Sequence, residues 1–252
     1  MRAKERHSII EQLVTNNKKI FVSELSDKLD VTEETIRRDL EKLESKGILT
    51  RTYGGAILNT EGSFDGVNFY NRATINLEEK QKIAIKAMEL LKDKTNIAAD
   101  SSSTVIETLK LIRNRKDVVL LTNSTEVLHE FTQSELTIVS TGGIFNKNSL
   151  SLQGSMAKAM IKKYNVDILL MSCKGLDKET GALDSNEVEV EFKKVLVQQA
   201  SEVALLVDHT KFDRSAFMQL VDFKNIDYIV TDKCPDDIWV RFFEENEIQI
   251  LY

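Results

Sequence analysis

Residues 31–55 read VTEETIRRDLEKLESKGILTRTYGG and hold adjacent arginines, Arg37 and Arg38, near the start of a helical pattern. A guanidinium is a planar fork of donors that suits phosphate and the O6/N7 edge of guanine. For those forks to face DNA, the helix must bury its other side. Ile36, Leu40 and Leu43 recur at i, i+4 and i+7, so one face is apolar. Thr35, Arg38 and Lys42 point roughly the other way, with Arg37 on the flank. Thr32 is placed to cap the first turn through its hydroxyl, and Gly47 to end the helix in a left-handed conformation. Such a helix fits a major groove, with its N-terminal residues at base edges.

The flanking residues supply a scaffold. Ile9, Ile10, Leu13 and Val14 form the apolar stripe of a first helix, and Ser23–Leu29 reads as a short second helix with Ser23 as its N-cap. Asp30-Val31 is the tight turn between the second helix and the third. Residues 48–53 and 56–57 flank Gly54-Gly55, a hairpin signal. Three helices followed by a hairpin make a winged helix-turn-helix over residues 1–58, with Arg51 and Tyr53 on the wing near the sugar-phosphate backbone. Charge alone argues weakly for DNA. Residues 1–59 carry 11 Lys+Arg against 10 Asp+Glu, because Glu33, Glu34, Asp39, Glu41 and Glu44 dilute the arginines. Positive charge must therefore be placed rather than abundant.

The rest of the 252-residue chain is acidic, with 23 Lys+Arg against 30 Asp+Glu, which makes it a poor binder of nucleic acid or membrane. Two cysteines without a CxxC pair and three scattered histidines point to a reducing cytoplasm, and no metal or cofactor is expected. No apolar run reaches membrane length. Residues 59–76 read as a linker, in which Phe64, Phe69 and Tyr70 are placed to dock on the larger domain.

Residues 77–252 alternate. A helix over 77–92 precedes short β-prone runs at 96–99, 118–122, 136–140, 167–172, 203–208, 227–231 and 248–251. Helical segments at 104–112, 126–131, 155–164, 187–200 and 238–245 lie between most of them, and Trp239 is expected in the core with Ile238 and Phe242. This is the rhythm of a mostly parallel α/β sheet covered on both faces, whose ligands bind beyond the carboxyl ends of the strands.

Those ends are rich in hydroxyls and glycines. Asp100, Ser101, Ser102, Ser103 and Thr104 lead into a helix, and hydroxyls beside backbone N–H groups at a helix start can cradle an anion. Thr122-Asn123-Ser124 does the same. Thr141-Gly142-Gly143 lets backbone approach a ligand closely. Ser172-Cys173-Lys174-Gly175 and Asp208–Phe212, which includes Lys211, follow later strands. Each turn alone reads as an ordinary helix cap. Together they suggest one polar pocket with a phosphate subsite. No GxGxxG follows the first strand, so a dinucleotide is not the expected ligand.

Three functions compete on these residues. The first is a ligand-controlled DNA binder. The second is a sugar-phosphate isomerase with an accessory head, using Asp100, Glu189 and Lys193 as acid, base and oxyanion stabiliser. Glu189 and Lys193 are spaced i, i+4, which also describes a plain surface ion pair. The third, a constitutive architectural protein, is disfavoured by the acidic body and its polar turns.

Taken together, the head sequence VTEETIRRDLEKLESKGILTRTYGGA, the turns DSSST, TNS, TGG and DHTKF, and Asn186, Glu189 and Lys193 resemble the DeoR family of bacterial transcriptional regulators. The resemblance covers essentially the whole chain. It implies a body similar to ribose-5-phosphate isomerase and double-stranded operator DNA as partner, and a homo-oligomer, dimer or tetramer, is expected to place two heads on half-sites spaced by whole helical turns. It also implies a phosphorylated sugar effector, with phosphate at Ser101–Thr104 and Lys211 nearby, and the polyol end met by Asp100, Asn186, Glu189 and Lys193. The chain departs from the common family pattern at Ser102, where glycine is usual, and at Ser172-Cys173-Lys174. With residues 181–186 and 211–215, these departures resemble the branch that regulates L-fucose use, which implies a 6-deoxyketose 1-phosphate effector.

Overall fold

The computed structural model describes residues 3–17, 19–45, 48–52, 54–58 and 69–252, which fall into two compact units within 1–75 and 76–252. Gly47, Tyr53 and Phe64 lie outside the described residues.

The first unit begins with α1 (Ala3–Asn17), β1 (Lys19–Phe21), α2 (Val22–Leu29) and α3 (Glu33–Ser45). It continues with β2 (Leu49–Thr52), β3 (Gly55–Leu58) and α4 (Phe69–Thr74). Ile10, Val14, Leu25, Leu29, Ile36, Leu40, Leu43 and Leu49 are buried together, so the periodic residues of the three helices do form one core. The wing departs from expectation. It has three strands in the order β1-β3-β2, because Lys19–Phe21 pairs antiparallel with β3. Thr52 pairs with Gly55, so Gly55 is strand, not turn. A Cβ on Gly55 would sit 2.1 Å from the Ile20 carbonyl oxygen, and this close crossing of β1 is why glycine stands there.

Ser23 does not cap α2. The cap position is Phe21, without a side-chain bond, and the Val22 N–H donates to the Gly54 carbonyl at 2.9 Å. The wing backbone thus satisfies a donor that a side chain was expected to satisfy. α4 is helical within the stretch expected to be linker.

The second unit contains α5 (Leu77–Leu91), β4 (Asn96–Ala99), α6 (Ser103–Ile112), β5 (Val119–Thr122) and α7 (Thr125–Glu130). Next come β6 (Thr137–Ser140), β7 (Ile144–Asn146), β8 (Ser151–Gln153), α8 (Ser155–Ile161), β9 (Val166–Met171), β10 (Gly175–Asp177) and β11 (Gly181–Asp184). The chain closes with α9 (Glu187–Val197), β12 (Ala200–Leu206), β13 (Met218–Val221), β14 (Tyr228–Val230), α10 (Asp237–Glu245) and β15 (Gln249–Leu251). Seven strands form one parallel sheet in the order β15-β14-β12-β9-β4-β5-β6, and they are the seven apolar runs of the sequence. The expected helix over 187–200 stops at Val197, and Ala200 already pairs with Val166. Trp239 is buried and Phe242 packs half-buried against its ring as expected, but Ile238 is exposed, and Phe243 joins the core instead.

Two small antiparallel additions have no counterpart in the sequence reading: the hairpin β7-β8 and the sheet β10-β11-β13. From β4 the chain winds outward to β5 and β6, then returns to β9 on the other side of β4. The crevice between the β4 and β9 ends is therefore the topological switch point, where open α/β sheets place ligands.

Candidate functional site

In the head, Thr32 starts α3 as expected, its hydroxyl accepting the Thr35 N–H at 3.3 Å. Ile36, Leu40 and Leu43 are buried, while Arg37, Arg38 and Lys42 are exposed and Thr35 is half-buried. Arg37 pairs with Glu33 at 2.6 Å and Arg38 with Glu34 at 3.3 Å, one turn back on the same helix. Exposed pairs of this spacing are worth only about 0.3–0.5 kcal/mol, so the guanidiniums are tethered but readily released. Arg51 is exposed on β2 and pairs with Glu44 of α3 at 2.7 Å. Arg37, Glu44, Arg51 and Gly54 line a cleft of about 580 Å³ between α3 and the wing.

Asp39 overturns the expectation that it dilutes the surface charge. It is buried, accepts from Arg6 Nε and from Arg6 Nη2 at 3.1 Å, and lies 2.8 Å from His7 Nε2. Burial alone would raise its pKa. The hydrogen bonds from Arg6 and His7 and the Arg6 charge outweigh that and hold the carboxyl below the usual carboxylate range. Asp39 thus ties α3 to α1.

In the body, the switch-point crevice is bridged by charge. Asp100, at the end of β4, is buried; Oδ1 accepts the Ser102 N–H at 2.9 Å and Oδ2 accepts the Ser172 N–H, beyond β9, at 3.1 Å. Lys193 reaches in from α9, donating to Asp184 at 2.8 Å and to the Ser172 carbonyl at 2.8 Å, with Asp100 Oδ2 at 3.3 Å. Lys174 lies 3.7 Å from Asp184. Two carboxylates therefore face two ammonium groups. Burial works against the charge on Lys193, yet Asp184 and Asp100 keep it protonated, well above the ordinary lysine range. Asp184 is likewise opposed by burial but held low by Lys193 and Lys174.

The alternative reading of Glu189 and Lys193 as a plain surface ion pair fails, since Lys193 is buried. Its closest ion partners are Asp184 and Asp100, and Glu189 adds a weaker field from the preceding turn. Because three protein oxygens surround the ammonium, Lys193 is a fixed charge rather than a proton carrier. Asp184 is the residue that sequence reasoning missed. Nothing local in LDSNE marks it as buried, and its partner Lys193 stands nine residues on.

The other expected residues either cap helices or lie at the strand ends. Ser102 caps α6 by accepting the Val105 N–H at 3.4 Å, and Asn186 caps α9 by accepting the Glu189 N–H at 3.1 Å. Ser101, Ser103 and Thr104 are buried around the start of α6. Asn123 is buried at the end of β5; its Nδ2 donates to Leu152 O at 3.2 Å, and its Oδ1 has no hydrogen-bond partner. Gly142 has φ 62° and is exposed, but Gly143 serves the hairpin: a Cβ there would lie 2.4 Å from Gln153 O. Lys211 lies in a 3₁₀ turn (His209–Lys211), and its charge acts on both Asp208 and Cys173. The ends of β9 and β12 are thus brought together. Burial, with Asp184 adding, pushes the Cys173 thiol up to about 12, so it is a packing residue at neutral pH.

Residues 6–62 match the family described as the DeoR-like helix-turn-helix domain, and residues 75–233 match the DeoR C terminal sensor domain. The chain belongs to the DeoR family. Among its relatives, the HTH-type transcriptional regulator GolR of Listeria innocua is 35% identical, covering 98% of this chain and 97% of its own. The L-fucose operon activator of Haemophilus influenzae is 31% identical, covering 98% of each chain. A ribose 5-phosphate isomerase from Methanocaldococcus jannaschii aligns with 54% of the chain and 55% of its own at 22% identity and a TM-score of 0.41. That likeness is too slight to add to the fold already described. As a DeoR-family member joining a DNA-binding head to a sensor domain, the chain is a transcriptional regulator and not an enzyme. Among the described residues, no helix is long and apolar enough to cross a membrane.

Proposed function

We propose that this chain reads operator DNA with α3 and the wing, and that a phosphorylated sugar in the switch-point crevice controls that binding at a carbohydrate-use operon. The observation that carries the reading is the buried Asp100–Lys193–Asp184 cluster between the β4 and β9 ends. Burying three charges costs desolvation that a hydrophobic replacement would avoid. Here the cluster fixes two turns by their backbone, Ser101–Thr104 at the start of α6 and Ser172–Lys174. The helix start supplies N–H groups for phosphate, and Lys174 and Lys211 supply positive charge beside it. Thr32, Thr35, Arg37, Arg38, Lys42, Arg51 and Tyr53 face DNA in this reading. Asn123, Asn186 and Glu189 are the polar groups assigned to the polyol in this reading.

The effector is a 6-deoxyketose 1-phosphate. The relative named for an L-fucose operon supports that choice, as do the departures from the common family pattern at Ser102 and Ser172-Cys173-Lys174. A homo-oligomer places two heads on half-sites separated by whole helical turns. Coupling of about 1–3 kcal/mol changes DNA affinity roughly 5–150-fold.

The test is binding to DNA from upstream of its own gene, at fixed salt, with fuculose 1-phosphate, rhamnulose 1-phosphate, fructose 1-phosphate and glycerol 3-phosphate titrated separately. A selective response to a deoxyketose phosphate is expected. A response to fructose 1-phosphate alone would replace the effector, and no response to any would remove the pocket reading. Lys211→Ala should abolish the response and leave DNA affinity intact.

A further inference from the structure

Helix α3 is gripped on two sides. At ~100° per residue, Asp39 and Glu44 fall on opposite flanks of the buried Ile36–Leu40–Leu43 face. Asp39 bonds α1 and Glu44 bonds the wing. The second grip is unusual in its reach. Glu44 Oε1 accepts the backbone N–H of Arg51 at 2.8 Å, and Oε2 accepts Arg51 Nε at 2.7 Å. One carboxylate thus fixes both the strand and the root of a guanidinium. The outer nitrogens of a fork held at Nε are Nη1 and Nη2, which suit a phosphate oxygen. Exposure agrees: the Arg51 side chain is 43% exposed and Glu44 is 24% exposed.

An acid on a DNA-facing element ordinarily weakens binding by repelling phosphate. We propose instead that Glu44 is a positioning residue for DNA binding: it holds β2 and the Arg51 side chain against the recognition helix, so that Arg51 meets one backbone phosphate. Fixing a long side chain before binding removes part of the ordering cost from the association step. The inference rests on the DNA reading of the head.

The experiment uses the full chain and the upstream DNA fragment, with Kd measured across a salt series for the native protein, Arg51→Ala, Glu44→Ala, Glu44→Gln and the double alanine variant. Melting temperature is followed in parallel. Neutralising one phosphate contributes about 0.9 to the slope of log K against log salt. Arg51→Ala should flatten the slope by about that amount. Glu44→Ala should flatten it equally, with the double variant no flatter than either, and melting should hardly move. Glu44→Gln keeps an acceptor for the Arg51 backbone and should recover part of the loss. An unaltered slope in Glu44→Ala beside a flattened one in Arg51→Ala overturns the inference alone. Tighter binding in Glu44→Ala also overturns it, since Glu44 is then only repulsive. A lowered melting temperature with the native slope makes Glu44 purely structural and likewise overturns it. If Arg51→Ala itself leaves the slope unchanged, the wing reading fails first and the inference falls with it.

Discussion

The two units of this chain use the same ion pairs to opposite ends. On α3, Arg37 and Arg38 pair with Glu33 and Glu34 in full contact with water. At the switch point of the body, Lys193 pairs with Asp100 and Asp184 out of contact with it. An exposed pair is weak because water screens it, so a phosphate can take the arginine from its glutamate. A buried pair is strong only as a unit, since removing one partner strands the other in a low-dielectric site. Loose charges suit an exchangeable ligand, and buried charges suit the walls that hold one. Asp39 shows that the division does not follow the domains: it sits in the head but behaves as the body's carboxylates do.

Lys193→Ala should sharpen the contrast most. It leaves Asp100 and Asp184 buried without their shared cation, and about 3–5 kcal/mol of body stability should disappear in denaturant unfolding. A loss under about 1 kcal/mol would mean that water or Lys174 replaces it, and the cluster would then not be a rigid wall.

Asp39→Asn comes next, at about 1.5–3 kcal/mol of head stability, since it replaces charged hydrogen bonds with neutral ones. The pH dependence has a definite sign. The folded-state pKa of Asp39 is lowered, so its contribution is complete above the ordinary carboxylate range near 4 and is lost as pH falls through the folded value. Head unfolding followed by circular dichroism should show that acid-side slope in the native protein and lose it in Asp39→Asn. A variant with the native slope would assign the dependence to other carboxylates.

Arg38→Ala should cost about 1–3 kcal/mol of operator binding if the guanidinium makes a bidentate base contact. Equal weakening on a scrambled duplex would make Arg38 a phosphate contact instead. The smallest effect belongs to Glu34→Ala, which removes only the exposed partner of Arg38. Stability should change by less than about 0.5 kcal/mol. A larger loss would erase the distinction between the two kinds of pair.

Much of this was legible from residue order. The central strands of the parallel sheet carry near-continuous apolar runs, such as residues 168–171 and 203–206, because strands buried on both faces cannot alternate. The helix faces of the head followed from the spacing of Ile36, Leu40 and Leu43. What escaped were short antiparallel pieces: β1, the β7-β8 hairpin and the β10-β11-β13 sheet. Three or four residues with mixed burial carry no period long enough to read, and their partners are far away in sequence. Ser23 and Gly55 were misread for one cause. β1 crosses the wing, satisfying one helix donor and leaving no room for a Cβ.

The order of residues by itself determined the two-part plan, the amphipathic helix α3 and the strand-end turns, because helix and strand periods and turn chemistry are local. Only the tertiary structure decided what each charge does. Asp39 and Glu33 are both acids within a few residues of an arginine in sequence, yet Asp39 is buried and Glu33 is in water. The free energy of a charge depends on the dielectric and partners around it, and both come from elements that meet only when the chain folds.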